Sequence, residues 1–414
     1  MHDDIARQVA DRVNAARLIE SIDALAAFGA RDDGGVNRPA LGERDIEARR
    51  FLIERARALG CSVSVDACAN LFIRRDGDTA LAPVMTGSHI DTQPTGGKLD
   101  GCYGVLAGFE VLAALNDANV RTRRPLEVAI WTNEEGTRFS PGAMGSSAFV
   151  EPSRMTRYAD VRDVDGVTLR AALDAHHAAF PELGARGSHD AAHAFVELHI
   201  EQGPQLENAG VPLAVVSGIQ GVRWYALHCA GTAAHAGTTP MPLRRDAMTL
   251  AIALHRELDG VAHELGRDDT RVTFGRWNVE PNSINTIPSA VTFIVDFRHP
   301  DARVLAAFDE RAHAIAQRHG ARLEALFSHA PVAFDAAVLS RIDDACRALD
   351  ANALHLTSGA FHDAMYLAQH CASGMLFVPS RGGISHNPAE ATDAGHLVLG
   401  ARVLAHCLTT LCND

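Results

Sequence analysis

Residues 82–101 read APVMTGSHIDTQPTGGKLDG. The apolar Val84 and Met85 run through small residues into a polar turn carrying His89 and Asp91, then into a Gly-rich loop that ends on Asp100. A short apolar run closed by turn residues predicts a buried strand that delivers its last side chains to a shaped loop. Upstream, ARLIESIDALAAF and DIEARRFLIERARAL, within residues 14–59, space their apolar positions by three and four and predict helices. CSVSVDACANLFIRR predicts a hairpin. Downstream come a helix over 103–116, a strand in PLEVAIWTN, a helix after GAMGSSAF and a strand in AFVELHIEQ. Strands alternating with helices predict an α/β fold: a mixed, largely parallel sheet flanked by helices, with the functional loops at its carboxyl edge.

From residue 218 the texture changes. GVRWYALHCAG, TRVTFGRWNVEP and SAVTFIVDFRHP alternate apolar and polar positions, as half-buried antiparallel strands do. Two long helical patterns, RRDAMTLAIALHRELDGVAHEL and DARVLAAFDERAHAIAQRHG, lie between and after them. The expected organisation is a main domain, 1–217 and 333–414, interrupted by an inserted α+β domain, 218–332. After 333, helix and strand alternate again through MLFVPS and the SHNPAE loop to a terminal helix.

Composition narrows the functional classes. A formal charge of −13 in 414 residues argues against a nucleic-acid or anionic-membrane partner, which needs a basic patch. Hydrophobic residues at 47% are enough for a sizeable core. The charged N-terminus MHDDIARQVADRV has no signal-peptide apolar stretch, and no uninterrupted apolar run reaches a membrane span; GHLVLGARVLAHCLTTL comes nearest, interrupted by His396, Arg402 and His406. The eight dispersed cysteines contain no CxxC pair, so free thiols in a cytoplasmic protein are expected.

The chemistry sits in five dense motifs. His89 and Asp91 leave one face of a strand end, and the acid, or a group near it, can hold the second ring nitrogen of a metal-binding histidine. Asp100 lies on a loop able to fold back towards them. Glu134 and Glu135 end the strand before NEEG, and adjacent side chains on extended backbone diverge, so one can ligate while the other acts as a base. His199 shares a strand face with Glu197 and Glu201. His386 sits in GGISHNPAE, a loop shaped by Gly-Gly and Asn-Pro. Each motif alone reads as ordinary structure: a turn histidine, a solvated acid pair, a satisfied sheet histidine. Together they form a donor set of imidazoles and carboxylates suited to two divalent ions, and zinc, manganese, cobalt and nickel all suit it. In the insert, His235 lies in a Gly-rich turn, Asn285 in PNSINTIP and Arg298 at a strand end, where it could grip a carboxylate by a two-pronged pair. His176, His177, His189 and His193, in a polar stretch, are expected to be solvated.

These motifs resemble the amidase, hydantoinase/carbamoylase family of dinuclear metal hydrolases, from about residue 20 to the C-terminus and in the expected order. That family, a branch of the aminoacylase-like metallopeptidases, includes N-carbamoyl-L-amino-acid hydrolase, β-ureidopropionase and allantoate amidohydrolase. The resemblance implies that His89 and His199 hold one ion, Glu135 and His386 the other, and Asp100 both. It makes Glu134 the general base, Asp91 the outer partner of His89, and Gln202 a substrate contact. Asn285 and Arg298 would hold a small-molecule substrate's carboxylate, and His235 would reach across a homodimer to the oxyanion. The insert would be a lid and dimerisation domain. A histidine at 199, where peptidase relatives carry an acid, points to ureido and amide substrates. TQPTGG favours carbamoyl amino acids over allantoate, and Phe361 in SGAFHDAM stands where relatives carry a small residue. A non-catalytic acid-binding relative would have lost a ligand or the base, and none is missing.

Overall fold

The structure, a computed structural model, describes residues 2–187, 190–266 and 269–414. Its contacts divide the chain into two compact units, Met1–Ser217 with Ala333–Asp414, and Gly218–Val332.

The first unit is built on a mixed sheet. Four neighbouring strands run parallel in the order Ala372–Val378, Ala194–Ile200, Val84–His89, Leu126–Trp131. Leu71–Arg75 and then Ser62–Val65 add antiparallel beside Leu126–Trp131, and Leu213–Ile219 adds antiparallel on the opposite side. The expected α/β class is therefore present, with its parallel strands central. Every residue of Val84–His89, Leu126–Trp131 and Ala194–Ile200 is buried, so the alternation that would mark a half-exposed strand is missing. The Glu197–His199 face thus points into the protein.

Helix Cys102–Asp117 packs under the sheet with almost all its residues buried, as its near-continuous apolar sequence requires. The C-terminal helix Ala394–Asn413 is long and apolar enough to cross a membrane, but 67% of its apolar window is buried in this unit, against the first helix, His2–Ala10, and Cys102–Asp117. Its apolar length is that of a core helix. Three short elements differ from the sequence reading. The helix expected after GAMGSSAF lies on these residues, Met144–Val150. Strands Leu213–Ile219 and Ala353–Ser358 were not expected, because brief apolar runs carry no period of their own.

His176 is also a correction. It is fully buried, not solvated, with Nε2 3.5 Å from the Arg49 guanidinium and its ring 5.0 Å from Phe180. His177 and His193 are half-buried, and His189 lies outside the described residues. Arg49, itself buried, pairs with Asp45 and donates to the carbonyl of Ala69 and the hydroxyl of Thr132. Burial, then the charge of Arg49, pushes the His176 imidazole down to about 2. The unfolded chain binds this proton near pH 6.5 and the folded chain does not, so the stability is fully present above 6.5 and falls as pH drops below it. By pH 5 the expected loss is about 2 kcal/mol. His176→Gln should flatten the unfolding midpoint between pH 6.5 and 5; an unchanged slope would exclude this origin.

The second unit is a four-stranded antiparallel sheet in the order Arg271–Glu280, Ala290–His299, Gly221–Ala230, Arg322–His329. Ala290–His299 alternates buried and half-buried positions, and helices Ala247–Leu265 and Ala302–Arg318 cover the buried face. Asp246 and Asp301 cap those helices by accepting from their first-turn amides. Phe297 stacks on Phe308 at 3.8 Å between ring centres. The strand Arg322–His329, in ARLEALFSH, was not expected.

Candidate metal centre

All four parallel strands end on the same edge, and each hands on a site residue there. Val84–His89 ends on His89, Ala194–Ile200 carries His199 one place from its end, Leu126–Trp131 runs into Glu134 and Glu135, and Ala372–Val378 runs into the loop of His386. Parallel neighbours must place their carboxyl ends together, so the convergence follows from the topology.

Asp100 lies at the centre. Its Oδ1 is 3.2 Å from Nε2 of His199 and 3.6 Å from Nε2 of His89, and its Oδ2 is 3.2 Å from Nε2 of His386. Two ligand-capable groups share it: His89, Asp100 and His199, and Asp100, Glu135 and His386, the donor atoms of each within 4.8 Å of one another. Gly101 makes this approach possible, since a Cβ there would lie 2.4 Å from the His89 ring. Main-chain carbonyls fix two of the rings. His89 uses Nδ1 towards the carbonyl of Asp91 at 2.9 Å, and His199 uses Nδ1 towards that of Ile200 at 2.9 Å. Both keep Nε2 turned to Asp100, the arrangement in which a histidine can ligate.

The glutamate doublet diverges, though on a bend after the strand rather than on extended backbone. Glu134 points its Oε2 to within 3.5 Å of His89 Nε2, whereas Glu135 Oε2 is 3.8 Å from His386. Asp91 holds both, but not as its HxD spacing suggests. Its carboxylate stands 3.8 Å from His89 Nδ1 and instead accepts the main-chain N–H groups of Glu134 and Glu135, each at 3.1 Å. The ring is oriented by the Asp91 carbonyl, the acids by its side chain. Gln202 donates to Asp100 at 2.9 Å and to Ser385 at 3.2 Å.

Two further supporting residues, Gln93 and Arg38, were not legible in the motifs. Gln93 binds both oxygens of Glu135, through its main-chain N–H at 3.1 Å and its side-chain amide at 2.6 Å. Arg38, fully buried, donates to the carbonyls of Ile90, Leu25 and Phe28 and to the Cys102 thiol, anchoring the turn between His89 and Asp91 from below. Asp363, fully buried, has no hydrogen-bond partner of normal geometry on either oxygen among the described residues. Its neighbour His362 packs its ring 4.5 Å from that of His199, and Phe361 beside it is half-buried.

The electrostatics are those of a cation site. Asp91, Asp100, Glu134, Glu135, Glu197, Asp363 and Glu390 are buried or nearly so. Among the described residues none of them pairs with Lys or Arg; their charged contacts are histidines. Burying carboxylates without countercharge costs several kcal/mol each, so protons or metal ions must offset them. Burial lifts Glu134 well above the usual range despite the opposing charge of His89, and burial with Asp100 nearby lifts Glu135 to about 7. Asp100 goes the other way, because three histidines outweigh its burial and hold it well below the usual range. Metal ions binding here displace protons. The imidazole and carboxylate donors, with no thiolate among them, fit borderline divalent metals.

The sequence profile of Peptidase family M20/M25/M40 matches residues 85–410. Over 96% of this chain and 99% of the relative's, the sequence is 37% identical to the N-carbamoyl-L-amino acid amidohydrolase of Geobacillus stearothermophilus. The chain belongs to this family, in its hydantoinase/carbamoylase branch. Another relative, the allantoate amidohydrolase of Bacillus subtilis, is 34% identical over 95% of this chain and 97% of its own. An amidase of the hydantoinase/carbamoylase family from Burkholderia multivorans superposes with a TM-score of 0.90 at 41% identity, covering 97% of this chain and 98% of the other.

The remaining site residues expected of the family lie in the second unit. His235 is on the short strand Ala234–His235, paired with Thr286–Ile287, and Asn285 precedes that partner strand, its carbonyl accepting from Ala236 at 2.9 Å. The fold of this unit therefore brings His235 and Asn285 side by side. Arg298 lies one place from the end of Ala290–His299 and grips Asp296 with Nε and Nη2, at 3.0 and 2.8 Å. Within this unit its guanidinium is thus already paired with an acid of the same strand.

Proposed function

We propose that this M20-family chain is a metal-dependent amidohydrolase acting on a linear ureido or amide C–N bond, with an N-carbamoyl-L-amino acid or N-carbamoyl-β-alanine as substrate. The observation that carries the reading is Asp100, one oxygen facing His89 and His199 and the other His386, with Glu134 beside His89. His89, Asp100 and His199 would hold one divalent ion, and Asp100, Glu135 and His386 a second, zinc being placed ahead of manganese, cobalt or nickel. Bound there, the two ions would polarise the scissile carbonyl and make water more acidic.

The residues then divide the work. Glu134 takes a proton from the attacking water and passes it to the leaving nitrogen. Asp91 fixes Glu134 through its main-chain amide. His235 donates to the oxygen that gains charge in the transition state. Asn285 and Arg298 hold the substrate carboxylate, Arg298 exchanging a share of its hold on Asp296 for it. Gln202, on Asp100 and Ser385, contacts the substrate beside the ions. Water adds to the carbonyl carbon as the C–N bond breaks; the amino acid leaves, and the released carbamate decomposes to carbon dioxide and ammonia. The 218–332 unit is read as lid and homodimer contact. The eight free cysteines fit a reducing, cytoplasmic setting.

A substrate panel tests the reading. Metal-loaded protein is expected to turn over N-carbamoyl-L-amino acids or N-carbamoyl-β-alanine with a higher kcat/KM than allantoate. Allantoate as the better substrate would transfer the assignment to the second group of relatives, and no turnover of any of them would remove it. Within the panel, Arg298→Ala should raise KM by about 10- to 100-fold, the worth of a charged hydrogen-bonded contact, with kcat less affected. An unchanged KM would take Arg298 out of the site.

A further inference from the structure

Glu390 sits in the same GGISHNPAE segment as His386, and its side chain is buried. Its Oε1 accepts the main-chain N–H of Leu99 at 3.0 Å and of Asp100 at 3.1 Å. Its Oε2 accepts the hydroxyl of Ser385 at 2.9 Å. One carboxylate therefore fastens the backbone of the residue shared by both ligand groups and the residue that precedes His386. Ser385 closes the triangle, its hydroxyl 3.5 Å from Asp100 Oδ2.

The neighbouring backbone is shaped for this contact. Gly97 leaves room for it: a Cβ there would stand 2.2 Å from Glu390 Oε1. A second acid is tolerated against Asp100 where its reach, to two amides and a hydroxyl on separate loops, is what the site uses.

We propose that Glu390 is a positioning residue that sets the separation of Asp100 from His386, and through Asp100 the geometry of both ligand groups. This rests on the two-ion reading given above. Supports of this kind change metal affinity by about 10- to 100-fold when removed. Because Asp100 belongs to both groups, a fault at Glu390 weakens both ions. A fault at Gln93, which holds only Glu135, weakens one.

The test compares Glu390→Asp and Glu390→Gln in the full-length protein, with Gln93→Ala as reference. Ions per chain and their affinities are measured by titration with zinc and with manganese in a metal buffer, and kcat and KM on an N-carbamoyl-L-amino acid. Glu390→Asp keeps the charge and loses the reach, so both affinities should fall about 10- to 100-fold, with kcat following occupancy and KM unmoved. Glu390→Gln keeps the reach and loses the charge, so it should stay near the unmodified protein. Wild-type affinities in Glu390→Asp, or their loss in Glu390→Gln, would overturn the inference. An unmodified protein that binds no ions would instead overturn the two-ion reading beneath it.

Discussion

Glu134→Gln is expected to lower kcat by about 10³-fold, the contribution typical of a positioned general base and equivalent to about 4 kcal/mol of barrier. The amide keeps the shape and the main-chain hydrogen bond to Asp91, and removes only the capacity to take a proton. KM should change little, because the group acts on water and on the leaving nitrogen rather than on the bound carboxylate. The content of bound metal should not fall, since Glu134 belongs to neither of the two Asp100-centred groups. The metal-free protein should become slightly more stable, for one of its crowded buried acids has become neutral. A kcat near that of the unmodified enzyme would remove Glu134 from the mechanism; lost metal would recast it as a ligand.

The second large effect is expected at Asp100. Three histidines face it, and their combined charge holds it ionised well below the ordinary carboxylate range. Its contribution is present above that ordinary range and is lost only as pH falls through its depressed folded value. Removing one partner of such a buried arrangement costs about 3–5 kcal/mol. Asp100→Ala should therefore unfold at a lower temperature than the unmodified protein when both are chelator-treated. Zinc or manganese should raise the midpoint of the unmodified protein but move that of the variant little, because a ligand stabilises only the state that binds it. Activity should fall with the metal content, to one ion or fewer per chain. Equal metal-induced shifts in both proteins would separate Asp100 from the ions.

Much of the fold is visible in short windows. The buried run of Val84 and Met85, the hairpin CSVSVDACANLFIRR and the strand–helix alternation predict an α/β protein with a largely parallel sheet, and the structure has one. The strands missed, Leu213–Ile219, Arg322–His329 and Ala353–Ser358, are short runs whose pairing partners lie far away in sequence. His176 shows the opposite failure. Its polar surroundings suggest solvent, but only one face of the helix Leu169–Ala179 is polar, and His176 lies on the face with Leu169, Ala172 and Leu173.

The site divides in the same way. The ligand-type residues stand out because each occupies a turn whose Gly, Pro and Asn are dictated by local backbone geometry. Their supports do not. Gln93 acts on Glu135, Arg38 on Ile90, and Glu390 on Leu99 and Asp100, and none of these pairs shares a sequence window.

Taken by itself, then, the sequence determined the class of fold, the family and the chemical nature of the donors, since strand runs, turns and side-chain types are local properties. Only the tertiary structure decided that Asp91 presents its carbonyl to His89 and its carboxylate to the two glutamates, and that Asp100 divides its oxygens between two sets of histidines. The first choice sets a carbonyl at 2.9 Å against a carboxylate at 3.8 Å, the second joins residues 100, 199 and 386, and such distances exist only after the sheet has aligned its carboxyl ends.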